Sequence, residues 1–205
     1  MGNRAVITTS HSYDVQSSND IGLYLHWNGG YDSVSAFLRY CKLRGFRPPE
    51  QDGYGWARLC QVIGNFFGGG LSIGIEKCCK LDCNNGNNGV YVIRNWEIVD
   101  RMYYDGPEQK DHQMDDMLKQ IDNSQPESER LGDYMFAKTV TTDKLKVGDM
   151  VYVTDYDGTC PKAFPIVLIK DNVPYVNKYP AVFSDDITTN PNNAIKDKKV
   201  KIKEN

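Results

Sequence analysis

The alternation of apolar and polar positions divides the chain into short elements. Arg4 to Thr9 (RAVITT) reads as a strand, and so does Ile21 to Trp27 (IGLYLHW), where β-branched and aromatic residues are bounded by turn formers. The stretch between them, His11 to Asp20, is polar and loop-like. Asn28-Gly29-Gly30 is a turn signal. Val34, Phe37, Leu38 and Cys41 then recur at i, i+3, i+4 and i+7, the stripe of an amphipathic helix capped by Asp32 or Ser33 and stopped at Gly45. Pro48 and Pro49 deny its continuation. A second helix is expected from Tyr54 to Phe67, with Trp56, Leu59, Cys60, Ile63, Phe66 and Phe67 on one face and Gly68-Gly69-Gly70 as its end. Leu71 to Ile75 is a strand candidate. Val90 to Ile93 and Trp96 to Val99 form an expected hairpin with Arg94-Asn95 near its turn, and Met114, Met117, Leu118 and Ile121 mark a third helix.

Beyond this the pattern changes. Residues 123 to 133 (NSQPESERLGD) are polar and carry a Pro and a Gly. TTDKLKVGDMVYVTDYDGT reads as turn, strand, turn, and AFPIVLIKDNVPYVNKY as a hairpin around Asp171-Asn172. The expectation is an α/β (α+β) protein. An N-terminal mixed sheet with about three helices spans residues 1–125, and a linker follows at 126–134. A small SH3-like β-barrel module occupies 135–190, and the polar remainder, 191–205, is a flexible tail or an edge strand.

Composition narrows the class. The hydrophobic fraction of 40% and aromatic fraction of 11% argue for a folded chain. No apolar run approaches a bilayer span, and the start lacks the h-region of a signal peptide, so a cytoplasmic location with no membrane contact is expected. The six cysteines are then thiols. Cys41 and Cys60 fall on apolar helix faces. Cys78, Cys79 and Cys83 cluster without the paired CxxC knuckles of a structural zinc site, so no metal is expected.

The formal charge of −3 disfavours a uniformly basic nucleic-acid binder, but the charges are unevenly spread. Arg39, Lys42, Arg44 and Arg47 lie within nine residues that hold no acid, and Arg58 could join them in space. With Tyr40 and Phe46 as stacking surfaces they suit contact with RNA, and the alternative is a solvated helix face. From Asp100 to Asp133 ten acids face four bases. Asp111, Asp115, Asp116 and Asp122 in that stretch suit a basic groove on a protein partner, or again a solvated face.

Leu25 to Ser33 (LHWNGGYDS) is the candidate chemical site. His26 is a candidate acid or base because imidazole is the side chain suited to proton transfer near neutral pH, Asn28 and Asp32 flank one tight turn, and a helix start offers free N–H groups. With Arg58 or Arg39 as charge stabiliser, and His112, Glu97 or Tyr54 as a second acid/base, the inventory fits phosphodiester chemistry on RNA. The plainer account makes Asp32 a helix cap and the glycines a turn. No GK[ST] follows, and no dinucleotide fingerprint is present, so no cofactor is expected.

The blocks MGNRAVITT, IGLYLHWNGGYDSVSAFLRYCKLRGFRPPE, YGWARLCQVIGNFFGGGLSIGI and NGVYVIRNWEIV resemble a family of small proteins carried by phages, plasmids and integrative elements of Gram-positive bacteria. The resemblance covers residues 1 to 122, and the family is associated with inhibitors of type II CRISPR systems. It implies a host-defence antagonist whose partner is an RNA-guided effector nuclease, its guide RNA, or both. It carries over no catalytic residue. A small ribonuclease that trims guide RNA around His26, and a non-enzymatic accessory or regulatory binding protein, are the other two expectations. Self-pairing into a homodimer stays open.

Overall fold

A computed structural model of the chain describes residues 2–10, 18–69, 73–104, 106–153, 162–176, 194–196 and 199–203. It divides into two units, Met1–Arg130 and Leu131–Asn205. The division falls inside the expected linker.

In the first unit the strands are β1 (Ala5–Thr8), β2 (Ile21–Leu25), β3 (Ile73–Lys77), β4 (Val90–Arg94) and β5 (Glu97–Met102). They form one mixed sheet in the order β3-β2-β1-β4-β5, in which only the β1–β4 pair is parallel. Every residue of β1 is buried. The reason is layering: Ile7 sits on the sheet face shared with Leu23 and Tyr91, while Val6 lies on the other face, packed with Val90, Cys78 and Cys83. The segment after β3 therefore covers the second face, and its cysteines serve as small apolar residues.

The helices are α1 (Tyr31–Leu43), α2 (Gly53–Phe67) and α3 (Met114–Ser124). α1 packs against α2, α3 and β5. This central place explains a burial wider than one stripe: Ser33, Ala36 and Tyr40 are buried along with Val34, Phe37, Leu38 and Cys41. Each large apolar side chain so buried contributes roughly 1.5–3 kcal/mol relative to exposure. α1 has Gly30 as its N-cap, two residues before the first expected cap, Asp32, and no side chain caps it. α2 is capped by Asp52, whose carboxylate accepts from the Tyr54 and Gly55 N–H groups, and it ends at Gly68 with φ 61°. The β4–β5 turn sits one residue later than expected, with Asn95 and Trp96 both at positive φ. The Trp96 indole is 4% exposed and donates to the Phe46 carbonyl at 2.8 Å, which fixes an otherwise unfavourable backbone.

The second unit holds β6 (Lys138–Thr141), β7 (Met150–Val153), β8 (Lys162–Lys170), β9 (Val173–Val176) and β10 (Lys199–Lys203) in an antiparallel sheet ordered β6-β10-β7-β8-β9. Leu145, Val151, Ile166 and Val176 form its core. Asp171 and Asn172 make the β8–β9 turn at positive φ, as their sequence anticipates. Neither sheet closes among the described residues. One expectation needs correction. Residues 199–203, read as part of a flexible tail or an edge strand, form β10 between β6 and β7, because Val200 and Ile202 pack on the core of this unit. The expected turn after Val153, Cys160, the polar loop from His11, and Leu71 at the start of the third strand candidate lie outside the described residues. No described helix is long and apolar enough to cross a membrane.

Candidate functional site

The turn between β2 and α1 is built by close backbone approach. A Cβ on Gly29 would lie 2.6 Å from the Ala5 nitrogen, and one on Gly30 would lie 2.7 Å from the Gln109 carbonyl. The Gly29 N–H donates to the Asn3 carbonyl at 2.8 Å. Asn28 takes φ 55° and its amide donates to His112 Nε2 at 3.3 Å. Asp32 accepts from the His112 N–H at 2.6 Å and from the Ser33 N–H at 2.7 Å. Its carboxylate thus ties the segment before α3 to α1, and neither bond caps the helix at Gly30. His26 packs edge-on against Trp27 and lies 3.5 Å from the Tyr24 hydroxyl. The structure brings Asn28, Asp32 and His112 together. Arg58 joins none of them: it bonds Gln61 and stacks on Phe46.

The cations of α1 and the following loop fall into two groups. Arg39 and Lys42 line a cleft against Trp96 and Glu97. Lys42 pairs with Glu97 at 2.7 Å, which holds that carboxyl below its usual range. The second group gathers on aromatic rings. The guanidinium of Arg44 lies 5.2 Å from the Phe46 ring centre and that of Arg58 lies 5.6 Å from the same ring. Arg47 stands 5.2 Å from the Tyr54 ring centre. Tyr54 is 68% exposed, and Arg58 follows it by one helical turn on α2, also exposed. The expectation that Arg58 joins the cations of the first helix region thus holds for Arg44. Two acids temper the group: Asp52 pairs with Arg47 at 2.7 Å, and Glu129 lies 3.7 Å from Arg44.

Two expected contacts need correction. Tyr40 is 1% exposed and donates to Asp122 at 2.7 Å, so it offers no ring to a base. Asp122 is itself 4% exposed and faces α1, so it cannot meet a protein partner. Both errors share a cause: α1 and α3 pack on one another, and the polar residues between them bond across the seam. Asp111, Asp115 and Asp116 are exposed, with the last two in the first turn of α3, where the helix dipole favours them.

Among the described residues, no group of three or more His, Cys, Asp or Glu could hold a metal ion. Cys78 and Cys83 are buried thiols; desolvation pushes the first up and the second up to about 11. Tyr54, expected as the start of the second helix and as a possible second acid/base, is the exposed ring of the cationic group. The signal in the sequence was the spacing Tyr54, Arg58 at i, i+4 beside an Arg-rich loop. No family model, curated protein or solved structure matches the chain.

Proposed function

We propose that this chain is a non-catalytic binding protein of the anti-CRISPR type. Its loop and α2 surface grips the guide RNA of a type II effector nuclease and so blocks target cleavage. The observation that carries RNA binding is the set of three guanidiniums held over two rings, Arg44 and Arg58 on Phe46 and Arg47 on Tyr54. Stacked guanidiniums and an exposed ring suit a single strand, whose phosphates need cations and whose bases need a flat apolar partner. The nuclease as target rests on the family resemblance of residues 1 to 122. Asp111, Asp115 and Asp116 supply an anionic face for that protein, and the reading places the chain in the cytoplasm of the bacterial host. It includes an SH3-like character for the second unit, for which five antiparallel strands and the tight Asp171-Asn172 turn are the support.

The test combines purified protein, effector and labelled guide RNA. The expected result is RNA retained intact, cleavage of target falling in a near-stoichiometric titration, and loss of both binding and inhibition in Arg47→Ala/Tyr54→Ala/Arg58→Ala. RNA bound with cleavage unimpaired would instead mark an accessory binding protein. RNA cut in a manner abolished by His26→Ala would establish the ribonuclease reading, for which the approach of Asn28 to His112 is the favouring contact. Neither RNA nor effector bound would overturn the proposal.

A further inference from the structure

The cleft between α1 and the β4–β5 turn is separate from the Phe46 and Tyr54 surface. Its volume is about 450 Å³, within the range of small-molecule sites. α1 contributes Tyr31, Leu38, Arg39 and Lys42, which follow one another along a single helix face. Trp96 and Ile98 stand opposite, and Met114 supplies further apolar lining. The lining is therefore mixed: an apolar part from Leu38, Ile98 and Met114, and cations from α1.

Charge selects the occupant. Among the described residues no acid pairs with Arg39, which is exposed. Lys42 is half neutralised by Glu97, in a bridge whose partners are 48% and 66% exposed. Lys110, 5.4 Å from the centre of the Tyr31 ring, is a third cation and is itself paired with Glu108 at 3.2 Å. In and beside this cleft three cations meet two acids, Glu97 and Glu108, and Arg39 is the cation that neither acid pairs with. A neutral apolar guest would leave Arg39 unmatched, and a hydrophilic anion would leave the apolar lining wet.

From this we propose that the cleft binds a small organic anion carrying an aromatic ring, with its carboxylate or phosphate on Arg39 and its ring against the apolar wall. Lys42 is a second anchor that the ligand gains in competition with Glu97. The site does not depend on RNA binding, because none of its residues belongs to the Phe46 and Tyr54 group.

The experiment is calorimetric titration of the full chain with paired probes. Indole-3-acetate and indole-3-acetamide share a ring and differ in charge; adenosine monophosphate and adenosine test the phosphate form. Binding by one or both anions and not by their neutral partners is expected. Arg39→Ala should weaken it about tenfold or more, the worth of a charge-assisted hydrogen bond. Glu97→Gln, by releasing Lys42, should tighten it, an outcome that a merely folded-state effect would not give. All these positions are at the surface, and circular dichroism checks that the variants fold. No binding by any probe, equal binding of anion and neutral partner, or affinity unchanged in both variants would overturn the proposal. RNA affinity should stay at the wild-type level in Arg39→Ala, so failure here leaves the RNA reading standing and the converse also holds.

Discussion

Two glycine-to-alanine changes should shift stability in opposite directions. At Gly29 the new methyl would sit 2.6 Å from the Ala5 nitrogen and 2.7 Å from the Arg4 carbonyl carbon and the Asn3 oxygen, where ordinary contact begins at 3.4 Å. All three are backbone atoms, and that backbone is bolted down: the Asn88 N–H and side-chain amide both donate to the Arg4 carbonyl at 3.1 Å, and the Asn88 amide also reaches Asn3. The turn must therefore move away and stretch its own bond from the Gly29 N–H to Asn3. Overpacking costs about 1–3 kcal/mol and the lost bond about 1, for a total of about 2–4 kcal/mol. Gly64 lies inside α2 with nothing within 4 Å of an added Cβ, so alanine there should stabilise by about 0.5–1 kcal/mol through its better helix propensity. Urea unfolding of the full chain reads both. The three tryptophans, Trp27, Trp56 and Trp96, all lie in the first unit, so their emission follows that unit alone. With m near 1–3 kcal/mol/M, the Gly29→Ala midpoint should fall by about 1 M or more while that of Gly64→Ala rises. Equal midpoints, or shifts of the same sign, would refute the account of the turn.

Three further outcomes follow from buried polar groups. Tyr40→Phe removes a donor from a buried carboxylate, Asp122, and should cost about 1.5–3 kcal/mol in the same urea assay. Asn85 accepts from the N–H groups of Asn87, Asn88 and Gly89 and donates to the carbonyls of Asp82 and Gly89; Asn85→Ala should cost about 3 kcal/mol and speed amide exchange at those three positions. Burial pushes the Cys60 and Cys83 thiols up to about 11, against about 8.5 in an unfolded chain. The neutral thiol is the form that the fold favours, so this stabilisation is complete below about pH 8.5 and is lost as pH climbs towards 11. Urea midpoints should decline over that window, and less so in Cys60→Ser/Cys83→Ser.

The sequence spoke most clearly where local chemistry and packing agree. The stripe of α1, the glycine end of α2 and the Asp171-Asn172 turn all carry signals that depend on few neighbours. Its limits were those of long-range contact. Nothing local marks Tyr40 and Asp122 as a buried pair, because each is polar and each lies 82 positions from the other. Asp32 looks like a cap until the segment holding His112 folds back on it. The shift of the β4–β5 turn onto Trp96 is decided by an indole that must reach the Phe46 carbonyl, a tertiary demand that overrides turn propensity. The cleft on α1 was invisible for the same reason, since the wall facing α1 comes from the β4–β5 turn, β5 and α3. As for β10, a lysine-rich segment reads as solvated until its alternate residues, Val200 and Ile202, are seen to meet a core.

The strand order of the second unit also governs when it can form. β6 has β10 as its neighbour, and nearly sixty residues of chain separate Thr141 from Lys199. During synthesis β6 leaves the ribosome long before its mate exists, whereas the 1–130 unit contains every strand that its own sheet uses. Closing so wide a loop is slow and entropically uphill, and until it closes β6 is a template for foreign strands. Vectorial translation should thus yield a finished amino-terminal unit tethered to a nascent, chaperone-dependent companion.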